Sequence, residues 1–179
     1  GTELKGKKVG IHAYGNVGRL VAEKAKAMGM QVCAFDPFVP ADKMEAEGVK
    51  AMQTIEELYS NCDYVSLHIP ANDQTKNSIN YELLSKMPKG ACLVNTARKE
   101  VINEADMAKL LADRPDFKYV TDIAAGNSEE LSAFAPRYFA TPKKMGAQTA
   151  EANLNAGLAA ANQIVDFIKN GVTKFQVNK

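Results

Sequence analysis

The turn from Gly15 to Gly18 constrains the fold of this chain more than any other feature. It lies between an apolar run at 8–13, which predicts a buried strand, and a segment at 17–28 with apolar residues at nearly helical spacing. A second apolar run at 31–35 predicts another strand, which ends at Asp36. A strand, a helix and a second strand in this order form a right-handed crossover unit, so we expect the two strands to be parallel.

The same alternation continues to the end of the chain. Further strands are predicted at 64–69, 91–95, 117–123 and 138–140, and further helices at 54–60, 81–87, 104–113 and 149–169. This pattern predicts an α/β fold of the Rossmann type, a doubly wound and mostly parallel sheet covered by helices on both faces. A length of 179 residues fits one domain spanning 1–179.

Composition excludes several classes of protein. The formal net charge is +1, so no cationic excess attracts nucleic acid or an anionic membrane. No apolar run reaches the roughly 18 to 20 residues of a membrane-spanning helix. Cys33, Cys62 and Cys92 are an odd number without CxxC spacing, which argues against a disulfide framework or a metal site. Reduced thiols predict a soluble, cytoplasmic protein.

The turn at 15–18 has the features of a dinucleotide-binding turn. Gly15 lets the backbone approach a diphosphate, and Gly18 allows close packing of helix on strand. Ala13 takes the place of the usual first glycine, which predicts a turn with negative φ at that residue. Asp36 stands where a carboxylate accepts from ribose hydroxyls, and no arginine follows it to bind a 2′-phosphate, so NAD is favoured over NADP. The alternative is a tight turn without a ligand.

An ordered series of motifs covers nearly the whole chain. The series consists of Val9-Gly10-Ile11 through Gly18, Leu67-His68-Ile69-Pro70, Thr75-Lys76-Asn77 with Leu83-Leu84 and Met87, Val94-Asn95-Thr96-Ala97-Arg98, Asp122, and Thr141-Pro142 with Gly146-Ala147-Gln148-Thr149. In this order the motifs resemble the nucleotide-binding domain of the D-isomer-specific 2-hydroxyacid dehydrogenases. The resemblance is strongest to members that oxidise D-3-phosphoglycerate to 3-phosphohydroxypyruvate, the first step of serine biosynthesis.

The resemblance implies a larger enzyme. In the family a separate substrate domain, built mostly from N-terminal residues, accompanies this domain and is absent here, and Gly1 in place of methionine is consistent with an excised piece. Family members also pair through the nucleotide-binding domain, which implies a homodimer. The small residues of the 149–169 helix would let a neighbour approach closely, although periodicity does not identify that neighbour.

The resemblance also implies roles for individual residues. Asp122 would hold the nicotinamide carboxamide, and Arg98, directly after a buried strand, would grip a substrate carboxylate or carbonyl oxygen. The remaining cofactor-binding positions are Tyr14, Gly15, Asn16, Val17, Gly18, Asp36, His68, Pro70, Thr96, Ala97 and Gly146. Each has a plain alternative, since an arginine after a strand is often only solvated and an aspartate often only caps a turn.

The acid and base of the reaction depart from the family pattern. Most members have Thr-Pro-His where this chain has Thr141-Pro142-Lys143, so Lys143 is the candidate base. A lysine accepts a proton only in its neutral form, which desolvation and neighbouring positive charge favour. The family glutamate that orients the histidine aligns with Asn127, and Glu129 or Glu130 would replace it only if the loop is shifted. Both glutamates can equally begin a helix.

Two other functions fit these residues. A hydroxypyruvate or glyoxylate reductase would share every residue named above. A non-catalytic NAD-sensing module, similar to transcriptional corepressors that resemble this family, would be consistent with Lys143 and the missing glutamate, whereas Arg98 argues against it. His12, within the first strand, is predicted to be a hydrogen-bonded core histidine.

Overall fold

The computed structural model describes residues 1–178 and divides into two compact units, Gly1–Lys143 and Lys144–Lys179. The first unit contains seven strands, which are β1 (Lys8–His12), β2 (Gln31–Phe35), β3 (Lys50–Ala51), β4 (Tyr64–Leu67), β5 (Cys92–Asn95), β6 (Lys118–Thr121) and β7 (Tyr138–Ala140). They form one sheet in the order β3-β2-β1-β4-β5-β6-β7, and every neighbouring pair is parallel. The predicted doubly wound α/β fold is confirmed.

Helices connect the strands. In the first unit these are α1 (Asn16–Ala27), α2 (Ala41–Ala46), α3 (Ile55–Asn61), α4 (Tyr81–Ser85), α5 (Glu104–Asp113) and α6 (Ser128–Ser132), with a 3₁₀ turn at Lys99–Val101. The predicted strands and helices all exist, with ends that differ by at most two residues. The sequence did not predict α2 and β3, because Met44 is the only buried residue of α2 and β3 has only two residues, so neither shows a period.

Two buried clusters form the core of the first unit. One packs α1 and α2 against β1 and β2 through residues such as Ile11, Ala22 and Met44. The other lies under β4, β5 and β6 and includes Leu58 and Leu93. Because β1 has β2 on one side and β4 on the other, the strand order reverses there, and this is the place where open α/β sheets bind ligands.

The buried polar residue His12 lies at the end of β1. It is 7% exposed, and its Nδ1 lies 3.1 Å from the hydroxyl oxygen of Tyr59, so the predicted hydrogen-bonded core histidine is confirmed. Burial lowers the pKa of His12 to about 4, although the nearby charge of Asp36 opposes this shift. His12 is therefore neutral at physiological pH. Cys33, Cys62 and Cys92 are also buried, as free thiols.

The side chain of Arg137, directly before β7, forms hydrogen bonds with the end of α5. Its Nη1 donates to the carbonyl oxygens of Leu111, at 2.9 Å, and Arg114, at 3.0 Å. These carbonyls lie at the C-terminal end of α5, where intrahelical donors run out. The guanidinium also lies over the ring of Phe134, 5.4 Å from its centroid. One side chain thus fixes the last crossover of the sheet.

The second unit consists mainly of α7 (Ala150–Asn170). The Thr149 hydroxyl accepts from the Ala152 amide and begins the helix, and Gly171, with φ of 63°, ends it. Over residues 1–178, no helix is both long enough and apolar enough to cross a membrane.

Candidate cofactor and substrate site

The predicted site residues of the first unit follow the carboxyl ends of successive strands. Asp36 follows β2, the turn at 15–18 follows β1, and His68, Arg98, Asp122 and Lys143 follow β4, β5, β6 and β7. Because the strands are parallel, these positions share one edge of the sheet. Five strand spacings of about 4.8 Å separate β2 from β7, so the residues form a row of about 24 Å.

The turn after β1 differs from the sequence prediction at Ala13. This residue has φ of 78°, in the left-handed region, so the predicted negative φ is wrong. The Ala13 amide donates to the Phe35 carbonyl at 2.9 Å, which continues the β1–β2 ladder by one residue. The chain must then reverse into α1 within two residues, and the positive φ makes this possible. The alanine therefore adopts the conformation that a glycine would adopt more easily.

Gly15 and Gly18 occupy different surroundings in this turn. A Cβ atom at Gly18 would lie 2.3 Å from the Ala13 carbonyl oxygen, so only glycine allows α1 to pack this closely. A Cβ atom at Gly15 would meet nothing within 4 Å. Gly15 is the N-cap of α1, and no side chain of residues 1–178 caps the helix there. Gly15, Asn16 and Val17 are all exposed, so the start of α1 is open to solvent, as an anion-binding turn requires.

Asp36 is fixed beside the turn by two backbone amides. Its Oδ2 accepts from the Tyr14 amide and its Oδ1 accepts from the Phe38 amide, both at 2.8 Å. Each carboxylate oxygen can accept a further hydrogen bond, so the group keeps capacity for a vicinal diol. A phosphate at the same place would meet the negative charge of the carboxylate. The arrangement fits the ribose of NAD rather than the phosphorylated ribose of NADP.

His68 and Pro70 follow β4, next to the turn. The His68 amide donates to the His12 carbonyl at 2.9 Å, and its Nε2 lies 3.0 Å from the Ser66 hydroxyl oxygen. Burial lowers the pKa of His68, so its ring is neutral at pH 7. The Pro70 carbonyl accepts from the Thr75 hydroxyl at 2.6 Å, which fixes the loop that follows. His68 therefore presents a neutral, half-buried ring next to the turn.

Asn95 organises the turn that carries Thr96, Ala97 and Arg98. Its side chain is 1% exposed, and it accepts from the Ala97 amide and donates to the Arg98 carbonyl, each at 3.0 Å. The Arg98 guanidinium is exposed and gives one Nη1 hydrogen bond, 2.9 Å long, to the Ala97 carbonyl. Sequence reasoning gave Asn95 no role, although a polar residue at the end of an apolar strand is the signal that could have identified it.

Asp122 lies directly after β6 and is half-buried. Its amide donates to the Asn95 carbonyl at 3.2 Å, and the preceding Thr121 hydroxyl donates to the same oxygen at 2.9 Å. The ends of β5 and β6 are therefore joined through Asn95. This places Asp122 and the Arg98 turn side by side on the edge of the sheet.

Lys143 lies at the end of the first unit and is exposed. The segment before it is fixed, since the Thr141 amide donates to the Thr121 carbonyl at 3.0 Å and the Thr141 hydroxyl donates to the Lys143 carbonyl at 3.3 Å. Gly146 belongs to the second unit. Its predicted cofactor contact therefore stays a prediction.

Asn127 occupies the position where the family glutamate was expected. Its Nδ2 donates to the Glu104 carbonyl at 3.1 Å and to the Glu130 carboxylate at 3.0 Å. Its Oδ1 is buried and has no hydrogen-bond partner among residues 1–178. Glu129 and Glu130 lie in the first turn of α6, so the predicted alternative, a helix start, is confirmed.

Several known proteins are similar to this chain. The family model for the "D-isomer specific 2-hydroxyacid dehydrogenase, NAD binding domain" matches residues 1–143. D-3-phosphoglycerate dehydrogenase of Haemophilus influenzae is 34% identical over 183 residues, which cover 98% of this chain and 44% of that protein. Hydroxypyruvate reductase of Thermotoga maritima is 32% identical over 169 residues, covering 92% of this chain and 54% of that protein.

A solved structure is similar over the full chain. It is the NAD⁺-bound 3-phosphoglycerate dehydrogenase of Entamoeba histolytica, with a TM-score of 0.88 and 45% sequence identity. The match covers 100% of this chain and 57% of that one. The chain thus spans about half of the length of these relatives.

Proposed function

Because this chain belongs to the D-isomer-specific 2-hydroxyacid dehydrogenase family and matches its NAD-binding domain, we propose that it is the cofactor half of an enzyme that oxidises D-3-phosphoglycerate to 3-phosphohydroxypyruvate, the reaction that opens serine biosynthesis. The observation that carries the proposal is the open glycine turn beside the Asp36 carboxylate. The residues that recognise the substrate phosphate would lie outside this chain, in a substrate domain or a partner subunit.

The row of residues along the sheet edge would hold NAD from its adenosine end to its nicotinamide end. The turn at Gly15 would receive the diphosphate, Asp36 the adenosine ribose and Asp122 the carboxamide. The positions that border the cofactor would be Tyr14, Asn16, Val17, Gly18, His68, Pro70, Thr96, Ala97 and Gly146. When bound, NAD supplies the acceptor for the substrate hydride.

Arg98 would orient the substrate. Its turn is fixed by the buried Asn95, and its exposed guanidinium stands at the sheet edge beside Asp122. A planar fork of N–H donors binds a carboxylate or carbonyl oxygen in a defined orientation, which positions the hydroxyl-bearing carbon and polarises the developing carbonyl.

Lys143 would accept the proton of the substrate hydroxyl as the carbonyl forms, and its ammonium form would return a proton in the reverse direction. The side chain expected beside it is the amide of Asn127 rather than a carboxylate. An amide, unlike a carboxylate, brings no negative charge to this position, so a lysine base and the loss of the glutamate are compatible.

The cofactor proposal is tested by titration calorimetry of this chain with NADH and NADPH. We expect NADH to bind and NADPH to bind at least about tenfold more weakly, because its 2′-phosphate would face Asp36. Asp36→Ala should remove most of this preference. Failure to bind NADH at millimolar concentration, or equal affinity for both cofactors, would contradict the proposal.

The reaction is tested with the full-length protein and D-3-phosphoglycerate across pH. Lys143→Ala should lower kcat by about 10²- to 10⁴-fold, the usual contribution of general acid–base catalysis, while Lys144→Ala serves as the matched control. Full activity of the Lys143 variant would show that Lys143 is not the base. The isolated chain should bind NADH but turn over slowly, because the substrate domain is absent.

A second candidate function is reduction of hydroxypyruvate, which the similarity to the Thermotoga maritima enzyme favours. The site residues of the two activities would be the same, so only the substrate distinguishes them. Comparison of kcat/KM for D-3-phosphoglycerate oxidation and hydroxypyruvate reduction by the full-length protein decides between them.

We also infer that the protein is a cytoplasmic homodimer. Large apolar side chains of α7, such as Leu154, Leu158 and Ile168, are 54% to 73% exposed, which supports an apolar contact with another chain. The buried, unpaired thiols suit a reducing compartment. Sedimentation equilibrium of the full-length protein tests the oligomeric state, and a monomer would contradict this part of the proposal.

A further inference from the structure

Glu47 is the centre of a hydrogen-bond network at the end of α2. Its Oε2 accepts from the Tyr14 hydroxyl at 2.8 Å and from the Arg19 Nε at 3.1 Å, and the Arg19 Nη2 pairs with its Oε1. Its backbone carbonyl accepts from the Lys26 ammonium. These contacts connect the end of α2 to the glycine turn and to the first and last turns of α1.

Tyr14 is fixed by both its side chain and its backbone. Its side chain is 2% exposed and its hydroxyl binds Glu47, while its backbone amide donates to the Asp36 carboxylate at 2.8 Å. In the chain, Tyr14 stands between Ala13 and Gly15, the N-cap of α1. A movement of Tyr14 would therefore change both the turn and the carboxylate beside it.

The backbone conformation of the neighbouring Ala13 has to be held in place by contacts such as those of Tyr14. With φ of 78°, it holds a conformation that alanine rarely adopts, and such residues persist only where surrounding contacts hold them in place. Ala13 has a single backbone bond to β2, through the Phe35 carbonyl. The double attachment of Tyr14 supplies the additional restraint.

We propose that Glu47 is a positioning residue of the cofactor site. By binding the Tyr14 hydroxyl and Arg19, it holds the strained turn in the conformation that opens Gly15 to the diphosphate and aims Asp36 at the ribose. The inference rests on the proposed binding of NAD and adds a residue that acts through Tyr14 and Arg19. Tyr14 is separated from Glu47 by 33 positions in the chain, so no local motif contains the pair.

The donor and acceptor of this contact keep their roles over the physiological pH range. Burial and the hydrogen bond to Glu47 raise the pKa of Tyr14 to about 12, so the hydroxyl remains a donor. The contacts with Tyr14 and Arg19 lower the pKa of Glu47, so the carboxylate remains an acceptor.

The first test measures NADH and ADP-ribose binding by the 179-residue chain with substitutions at position 47. Glu47→Ala should weaken both ligands by about tenfold, because the turn and Asp36 contact the part that they share. Glu47→Gln, which keeps an acceptor for Tyr14, should restore most of the affinity, and Glu45→Ala, on the exposed side of α2, should leave it unchanged. Tyr14→Phe removes only the hydroxyl that binds Glu47. It replaces Glu47→Ala in this test if Glu47→Ala does not fold, and it should weaken both ligands in the same way.

The second test combines Glu47→Ala with Ala13→Gly. A glycine at position 13 needs no restraint to hold a positive φ, so the loss of NADH affinity caused by Glu47→Ala should fall from about tenfold to about twofold. Equal losses in both backgrounds, or unchanged affinity in Glu47→Ala and Tyr14→Phe, would overturn the inference. A wild-type chain that binds neither ligand would instead contradict the proposed function.

Discussion

At the residue scale, Gly15 and Gly18 differ in what the fold requires of them. Gly18 has no room for a side chain, since its Cβ would lie 2.3 Å from a backbone oxygen that cannot move independently. Gly15 has φ of −79° and open space around it, so any residue could fold there. Packing therefore requires a glycine at position 18 but not at position 15, and substitution can distinguish the two positions.

We expect Gly18→Ala to lower the free energy of unfolding by about 2 to 3 kcal/mol, because α1 must move away from β1. Gly15→Ala should lower it by less than about 1 kcal/mol, the value of a changed N-cap, but weaken NADH binding more than tenfold. Urea unfolding and calorimetry on both variants check the contrast. A stable Gly18→Ala protein would mean that the packing of α1 is looser than described.

His12 makes stability depend on pH with a defined sign. Burial lowers its pKa from 6.5 to about 4 in the folded state, so the unfolded chain binds a proton first as the pH falls. The stabilisation is fully present above pH 6.5 and is lost as the pH falls towards 4. Relative to His12→Asn, which does not titrate, the protein should lose about 2 kcal/mol between pH 7 and pH 5.

Urea unfolding of both proteins at a series of pH values measures this difference, and the carboxylates common to both cancel in the comparison. Parallel pH profiles for the wild type and His12→Asn would show that His12 takes up its proton equally well in the folded state. That result would contradict the buried contact with Tyr59.

The residues that sequence reasoning identified are those whose chemistry is local. Gly18 and Asp36 follow from what a diphosphate turn needs within one crossover unit. Glu47 was missed because its partner Tyr14 lies 33 positions away in the chain. Asn95 was missed although its partners, Ala97 and Arg98, are close to it in the chain. The sign of φ at Ala13 was predicted wrongly because residue type alone favoured negative φ, whereas the reversal from β1 into α1 requires a positive value.

At the element scale, the longer helices and the strands were predictable because each carries several residues of one period. The segment between β2 and α3 was not, since α2 and β3 are held by contacts rather than by their own pattern. The loop at 123–127 was also ambiguous, because Ser128 to Leu131 read equally well as a shifted catalytic loop and as a helix start.

Arg137 gives a test of how one contact holds an element. Arg137→Met keeps most of the side-chain stem but removes the donors to the Leu111 and Arg114 carbonyls. We expect a loss of about 2 kcal/mol in the free energy of unfolding, because the Leu111 carbonyl loses its donor, whereas the Arg114 carbonyl keeps the Phe117 amide at 3.1 Å. Lys118→Met, an exposed position on β6, is the control and should change stability by less than about 0.5 kcal/mol.

At the scale of the whole molecule, the sheet places the proposed cofactor and substrate residues in a row along the carboxyl ends of its strands. Asp36 and the glycine turn lie near one end of the row, and Arg98, Asp122 and Lys143 follow β5, β6 and β7 towards the other. Variants at the two ends should therefore affect different quantities. Asp36 should control affinity for the cofactor, whereas Arg98 and Lys143 should control turnover of the full-length protein.

A cofactor that binds the folded chain but not the unfolded chain should raise the thermal stability of the protein. At a NADH concentration of 100 times Kd, the free energy of unfolding should rise by about 2.7 kcal/mol, which corresponds to about 7 °C in Tm for a chain of this length. Arg98→Ala and Lys143→Ala should keep this shift, because on the proposed placement neither residue would contact the adenosine half of NADH. Asp36→Ala should remove most of the shift. Differential scanning calorimetry with each variant measures the shift, and an equal loss in all three would mean that the edge acts as one site rather than as a row.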